Sequence, residues 1–452
     1  MRDVFSTRLL AKAAGSRWAR ELRAPTGPLG HVLVLAGWTA AAQFLYLLAL
    51  PILSRLYSVE SFGNLAVLQS ISAFTAVAAA LRYDIAITLP EDDETAINLL
   101  GLSLVAVAAT TGLIVLLAMA LPTSWVFQGQ LAFLRGLWWL IPLTHFGSGV
   151  REAVTCWAIR RKSFPAIAKT KVGQVVLQLL LQLGMGFGAL VPFGLYIGDA
   201  VGRIGGAGSL LRELRGREKT LLSRISRTSM LRAGQTYRSF PIFSIWAQLL
   251  SRSGRDFVPV AMASLYGAVA AGWFALASRV VAAPLELIAR SVAQVYLAEA
   301  SELCRRNPVE LKRLFQKSAQ RLLLTALLPG ALIAVLGPRL FEIAFGQQWS
   351  GAGVYARCMA IMLVAQFVNF PLVHTLNILE RQTWQLLWDA AVLATGLGGI
   401  VALQHLGVGD VYAVLYYSST MAIMFALHYF ITLIAIDQRI EATRITVARD
   451  SA

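Results

Sequence analysis

Leu56-Tyr57-Ser58-Val59-Glu60-Ser61-Phe62-Gly63-Asn64-Leu65-Ala66 and Leu265-Tyr266-Gly267-Ala268-Val269-Ala270-Ala271-Gly272-Trp273-Phe274-Ala275 are one phrase written twice. Each opens on Leu-Tyr, places a glycine six residues after the Tyr, and closes on an apolar residue and an alanine at identical spacing. Arg82 follows the first Tyr by 25 residues and Arg290 follows the second by 24. Each copy falls at the turn between the first two apolar stretches of one half of the chain. The repetition therefore points to a duplication of a unit with six spans. Six is even, so both halves enter a bilayer from the same side and form a parallel repeat about an axis along its normal. That arrangement leaves a cavity between them.

Outward from the phrase, apolar stretches run at 30–54, 62–82, 97–121, 134–158, 165–187 and 189–211, then at 239–264, 267–290, 320–343, 351–376, 384–406 and 411–436. Each is roughly 20 residues, which at 1.5 Å per residue covers the hydrocarbon core. With 57% hydrophobic and only 14% charged residues, the chain is too apolar for a soluble protein of 452 residues. The expected fold is all-α and polytopic, about twelve transmembrane helices in two six-helix lobes around a central cavity. The connections alternate in charge. Arg160-Arg161-Lys162, the segment 212–238 and the segment 305–321 are basic, whereas 122–134, 188–194, 265–272 and 345–353 carry no charge. Lys and Arg stay on the cytoplasmic side, so both termini are expected there, in a bacterial inner membrane. The longest basic connection holds eight cations against Glu213 and Glu218, a net of +6. One inner connection, Glu91-Asp92-Asp93-Glu94, is acidic; carboxylates weigh little in orientation.

This divides the chain into a basic arm at 1–29, a first lobe at 30–211, a basic linker at 212–238, a second lobe at 239–436 and a tail at 437–452. The arm interleaves Val4, Phe5, Leu9, Leu10, Trp18 and Leu22 with arginines, and reads either as an interfacial helix or as a disordered basic segment. It lacks the apolar core of a signal peptide. The net charge of +16 sits in inward loops rather than on a soluble stripe, so it speaks for topology and anionic lipid, not nucleic acid. Cys156, Cys304 and Cys358 form no metal-ligand spacing, and no metal or other cofactor is expected. No phosphate-binding GxxxxGK[ST] loop is present, which disfavours an ATP-driven pump.

An arginine at mid-depth costs roughly 2.5–3.5 kcal/mol to insert, so it faces the bundle interior or water. Arg252, Arg255 and Asp256 stand near the middle of the seventh span, with Arg252 and Asp256 at pairing distance along one face. Arg279, Glu286 and Arg290 make one stripe on the eighth span, with Pro284 between them. Asp199 and Arg203 are four apart on the sixth. Guanidinium suits a phosphorylated ligand, being always charged and forked. Gln174, Gln178 and Gln182 form a stripe on the fifth span that suits either sugar hydroxyls or a neighbouring helix. Thr39, Gln43 and Tyr46 make a weaker stripe on the first. Gly194, Gly198 and Gly202 let a helix approach the sixth span closely. Trp138, Trp139, Trp349 and Trp384 near span ends read as interfacial anchors.

From Pro51 to Pro90 the sequence resembles the bacterial polysaccharide flippases of the Wzx type, of the multidrug/oligosaccharidyl-lipid/polysaccharide exporter superfamily. The likeness rests on the stretches 51–63 and 81–90, with weaker matches at Arg255-Asp256, at 278–285, at 299–301 and at 376–382. It implies a V-shaped bundle around a cationic cavity, and translocation of an undecaprenyl-diphosphate-linked oligosaccharide to the outer leaflet for O-antigen or exopolysaccharide assembly. Polysaccharide polymerases and other glycan-assembly membrane proteins would be partners. Positions matching family motifs are Arg55, Tyr57, Glu60, Gly63, Arg82, Tyr83, Asp84, Asp256, Arg279, Pro284 and Glu299, several of them for gating and packing.

The expected carrier is not an enzyme and works by alternating access. Arg252, Arg255 and Arg279 would hold the pyrophosphate. Arg82, Arg203 and Arg290 would draw it in, and the Gln174, Gln178 and Gln182 stripe would touch sugar. Asp199, Asp256 or Glu286 would titrate if an ion drives the cycle. Two rivals stand beside it. A multidrug cation antiporter of the same architecture would favour acidic or aromatic groups at mid-depth. A membrane glycan polymerase or ligase would carry its chemistry on a large outer loop, where this chain has only short ones.

Overall fold

The long helices follow from uninterrupted apolar composition, and their ends from local chemistry. Ser58 caps one helix by accepting the Ser61 N–H, and Asp92 caps the next by accepting the Thr95 N–H at 2.6 Å. Asn307 accepts the Glu310 N–H ahead of a third, with Pro308 in its first turn. The acidic run at 91–94 thus has a local purpose. Asp93 and Glu94 lie in a first helical turn, where they complement the helix dipole, and they meet the basic loops: Asp93 takes Arg160 and Arg161, each at 2.9 Å, and Glu94 takes Arg224 at 3.3 Å.

The computed structural model describes residues 28–121, 128–188 and 190–450. The basic arm read over 1–29 falls almost wholly outside them. All regular elements among the described residues are helical. The main ones are α1 (Pro28–Leu56), α2 (Val59–Ala78), α3 (Asp93–Ala120), α4 (Leu140–Arg160), α5 (Phe164–Phe187), α6 (Phe193–Ile204) and α7 (Ala207–Arg217). There follow α8 (Arg227–Thr236), α9 (Ile245–Asp256), α10 (Val258–Tyr266), α11 (Ala268–Arg306), α12 (Pro308–Phe345), α13 (Ser350–Leu372), α14 (Gln382–His405) and α15 (Asp410–Asp450).

Eight of the described helices are long and apolar enough to cross a membrane. Several spans expected as single helices are broken, the sixth and seventh among them. The sixth is interrupted at Gly205-Gly206, where Gly206 has φ +86°, and separates α6 from α7. The seventh is interrupted at Phe257, ahead of Pro259, and separates α9 from α10. Three helices overrun their apolar stretch at the basic end: α11 continues to Arg306, α12 starts at Pro308 and α15 reaches Asp450. The linker 212–238 is folded too, since Ile225 and Met230 pack against Gly101 of α3.

The two halves meet through α2 and α11, and the repeated phrase is where they touch. A Cβ on Gly63 would overlap the Ala268 carbonyl, and a Cβ on Gly272 would overlap the Val59 carbonyl. The relation is reciprocal, as expected of two copies related by a two-fold axis. Only glycine permits such an approach of backbones. Around this crossing lies the largest core cluster, with Leu50, Leu53, Tyr57, Phe62, Trp349 and Tyr355 almost fully buried. Trp349 is not an interfacial anchor. It is 0% exposed, stands edge-on to Phe62 at 5.0 Å, and donates its indole N–H to the Ser54 carbonyl at 3.0 Å. Gln348 donates to the same carbonyl, and the Ser54 hydroxyl donates to the Phe345 carbonyl at 3.2 Å. The uncharged end of the bundle is therefore closed by contact between halves.

Candidate functional site

Below the glycine crossing α2 and α11 diverge, and a cavity of about 940 Å³ opens between the halves. It begins near Ala66 and Phe274 and extends to His374 and Asn377, at the turn that ends in Arg381. It is thus closed at the uncharged end and reaches the basic end.

Its roof is a polar network that joins the halves. Arg279 of α11 donates to the Tyr46 hydroxyl of α1 at 3.1 Å and to the Gln69 side-chain carbonyl of α2 at 2.6 Å, and lies 5.3 Å from the centre of the Tyr46 ring. Gln69 donates onward to Asp199 of α6 at 2.8 Å. Asp199 also accepts Arg203 at 2.7 Å and Gln178 at 3.3 Å. This carboxylate is buried yet fully supplied with donors, so it serves as an anchor for three helices. Arg203 and Arg279 line the cavity, as do Gln43 and Gln69 on the first-lobe side and Gln366, Asn369 and Gln385 on the other.

The remaining candidates divide cleanly. Asp256 and Glu286 line the cavity. Arg290 is mostly exposed and bonds Glu286 at 3.3 Å, one turn away. Arg252 is exposed and lies off the lining, because the cavity face of α9 is that of Gln248, Ser251 and Asp256. Among the described residues it forms no ion pair with Asp256. The side chain of Arg255 lies outside the described residues. Arg82 sits in a left-handed turn (φ +62°) directly after α2, with its Nε buried and unpartnered. Asp84, two residues on, is 5% exposed. Tyr83 donates to the Gly234 carbonyl of α8, at 3.3 Å.

The glutamine stripe points away from the cavity. Gln174 donates to the Gly205 carbonyl at 2.6 Å, Gln178 to Asp199, and Gln182 to the Leu195 carbonyl at 3.1 Å. The reason is the glycine ladder opposite. A Cβ on Gly198 would meet Gln182 Cγ at 2.5 Å, and one on Gly202 would meet Gln178 Cβ at 2.7 Å. The two periodicities interlock, α5 seats against α6, and the amides close the seam. Tyr57 joins the same seam by donating to the Gln182 carbonyl at 2.6 Å. Arg55, Glu60, Pro284 and Glu299 are exposed and contribute nothing to the lining.

The lining also departs from the expected cationic surplus. Among the described residues it carries Arg203 and Arg279 against Asp256, Glu286 and Asp389. The carboxylates all belong to the second half, while the two arginines meet on the first-half side of the roof. Gln69 and Gln385 were not singled out from the sequence, since a lone amide in an apolar run gives no periodic signal. Gln385 donates to Asp389 at 3.2 Å and is hydrogen-bonded through its carbonyl to buried His428 at 3.1 Å.

The profile of the family described as "Polysaccharide biosynthesis protein" matches residues 52–354, more than half of the chain. The chain belongs to that family. Among solved structures it is similar to an inward-facing multidrug resistance MATE family transporter of the MOP superfamily, with TM-score 0.57 and 14% identity, covering 91% of this chain and 95% of that one. It is similar to a MATE protein in the bent conformation (0.55, 14%, 96% and 99%) and to the Vibrio cholerae MATE transporter VcmN in its bent form (0.51, 16%, 91% and 99%). At these identities the likeness establishes the fold alone. A comparison with curated proteins gave no match. The chain is a multi-pass membrane protein of polysaccharide biosynthesis with the fold of these transporters.

Proposed function

We propose that this protein flips an undecaprenyl-diphosphate-linked oligosaccharide unit across the bacterial inner membrane, from the cytoplasmic to the outer leaflet, for assembly of a surface polysaccharide. The observation that carries the reading is the cavity. In a chain of the polysaccharide biosynthesis family, a 940 Å³ space lies between two halves and is walled by amides that suit sugar hydroxyls. Its size is at the upper end of ligand pockets, about 300–1,000 Å³. Arg279 and Arg203 present guanidiniums at its roof for the pyrophosphate. The positive-inside rule makes the basic end cytoplasmic, so the cavity takes its load from the inner leaflet and both termini lie inside. Alternating access then requires the α2–α11 crossing to open. The pyrophosphate is the group fitted to compete with Tyr46 and Gln69 for Arg279. Other membrane proteins of glycan assembly would supply and receive the unit. On this reading the protein is a carrier and makes or breaks no covalent bond.

A cation antiporter is the second reading, and a specific observation favours it: Asp256, Glu286 and Asp389 on the second-half wall. One experiment separates the two. The gene is deleted and restored from a plasmid, and membrane lipid-linked oligosaccharide is assayed beside surface glycan. Loss of surface glycan with accumulation of the linked unit on the cytoplasmic face, both reversed by the plasmid, supports flipping. Accumulation on the outer face points to a polymerase or ligase. Unchanged glycan with new sensitivity to cationic drugs overturns the proposal.

A further inference from the structure

A second group of charges lies in the first half, away from the roof, and the site described above does not use it. Arg151 is on α4, Lys171 on α5, and Arg82 in the left-handed turn after α2. The packing brings them to one level. α4 and α5 run antiparallel from the turn at 161–163, and Val154 packs in one cluster with Ile167. Arg151 lies three residues deeper on α4 and Lys171 four residues deeper on α5, so they stand side by side. Gly149 presses on the end of α2, where a Cβ would meet Ala79 Cβ at 2.9 Å. α2 and α4 run in the same direction, which sets Arg82 beside Arg151. The level is roughly 14 Å inward from Arg160 at 1.5 Å per residue.

At that depth cations need a reason. Two carboxylates, Asp84 and Glu152, accompany the three cations, leaving one positive charge in excess. The group has not neutralised itself. Arg82 Nε, Arg151 Nε and Asp84 Oδ1 are all buried without a hydrogen-bond partner. Glu152 touches Arg151 only at 3.3 Å and is half exposed. Lys171 lies near enough to Arg290 of the other half to feel its charge, and Arg290 bonds Glu286 of the cavity lining, so the group borders the second half. Cations from three elements at this border, two of them with a buried and unpartnered Nε, suit a multiply charged oxyanion.

We infer that Arg82, Arg151 and Lys171 form a second diphosphate station on the first-half wall, occupied before the ligand reaches Arg279 and Arg203. The inference rests on the flippase reading and adds two residues to it, Arg151 and Lys171. It also gives the polarity of the cavity a purpose. The anion travels along the first half, while the carboxylates of the second half keep it from binding there as tightly.

The test uses the full-length protein in nanodiscs of zwitterionic lipid, with radiolabelled farnesyl diphosphate as probe. Lys171→Met and Arg151→Gln are each expected to weaken binding about tenfold and to reduce its salt dependence, while Lys171→Arg retains it. Unchanged affinity in both neutral variants, with binding lost in Arg279→Gln, overturns the station and leaves the flippase reading intact. Wild-type protein that ignores farnesyl diphosphate and binds tetraphenylphosphonium overturns both. Should the neutral variants fail to fold, acetylation of Lys171 in the wild type decides. Protection by farnesyl diphosphate supports the station, and an unprotected Lys171 refutes it. Nanodiscs containing phosphatidylglycerol identify a lipid-headgroup site: equal competition by that lipid and by farnesyl diphosphate overturns the assignment to a diphosphate.

Discussion

Replacing Gly63 with alanine adds one methyl group at the point where α2 and α11 cross, and its effect can be worked from the contact itself. The new Cβ would lie 2.8 Å from the Ala268 carbonyl carbon and 3.0 Å from the Gly272 nitrogen, with the Ala268 oxygen closer still. Ordinary contact begins at 3.4 Å and the Ala268 oxygen is the nearest atom, so the helices must separate by well over an ångström. Both obstacles are backbone and cannot rotate aside. Overpacking of this kind costs about 1–3 kcal/mol. The cost is confined to the state in which the halves touch, because in the opened state the methyl faces space. A differential of that size shifts a two-state equilibrium by about 5–150-fold. Spin labels at Glu60→Cys and Val269→Cys, both exposed beside the crossing, report the separation of the halves. The wild type should give mainly a short distance, and Gly63→Ala a dominant or sharply increased long one. Gly272→Ala should do the same, since it meets Val59 in the reciprocal way. A distance distribution unchanged by both substitutions would refute the claim that this crossing closes the bundle.

Arg279→Lys keeps the charge but cannot reach Tyr46 and Gln69 together, so surface glycan should fall severalfold, and Arg279→Gln should abolish it while protein stays in the membrane; normal glycan in the Gln variant removes Arg279 from the site. Trp349→Phe leaves a void and removes the indole N–H from the Ser54 carbonyl, which keeps only Gln348, and should cost about 2–4 kcal/mol, read as a lower melting temperature in detergent. Tyr57→Phe loses one buried hydrogen bond to Gln182 and should cost about 1 kcal/mol in the same assay without altering glycan composition. Asp92 accepts the Thr95 N–H, which holds its carboxyl below the usual 3.8. Its cap therefore contributes fully above 3.8 and is lost as the pH falls through the lower folded value. The protection factor of the Thr95 N–H, the slowing of its exchange relative to an unfolded chain at the same pH, should be constant from pH 8 to 5 and fall below about 3.8, and Asp92→Ala should remove that pH step.

The sequence announced the membrane, the two halves and the point where they meet, because each leaves a periodic or repeated mark. Lys and Arg mark the inner loops, and Tyr57–Gly63 and Tyr266–Gly272 mark the crossing at equal spacing. The placement of polar side chains was less legible. Gln174, Gln178 and Gln182 fit a sugar-binding face as well as a helix seam when read alone. The deciding signal was present on the next helix, since Gly198 and Gly202 repeat at the same four-residue interval and can only be filled from α5. Arg252 and Asp256 share a spacing that pairs on an isolated helix, but the cavity takes only the face of Asp256. Gln69 could not be found by periodicity at all. Its importance comes from a neighbour 210 positions away, Arg279, and from another 130 positions away, Asp199.

α11 has 39 residues, which makes it roughly 58 Å long, nearly twice the hydrocarbon thickness it crosses. Its glycine contact lies near one end, and Arg306 stands 34 residues beyond Gly272, about 51 Å away. The geometry is that of a lever with its fulcrum at the tip. A tilt of about 10° that merely loosens the crossing sweeps the far end through roughly 9 Å. Small forces applied to the protruding ends of α11 and α12, by a neighbouring protein or by the membrane surface, therefore gain mechanical advantage over the seal at the opposite face.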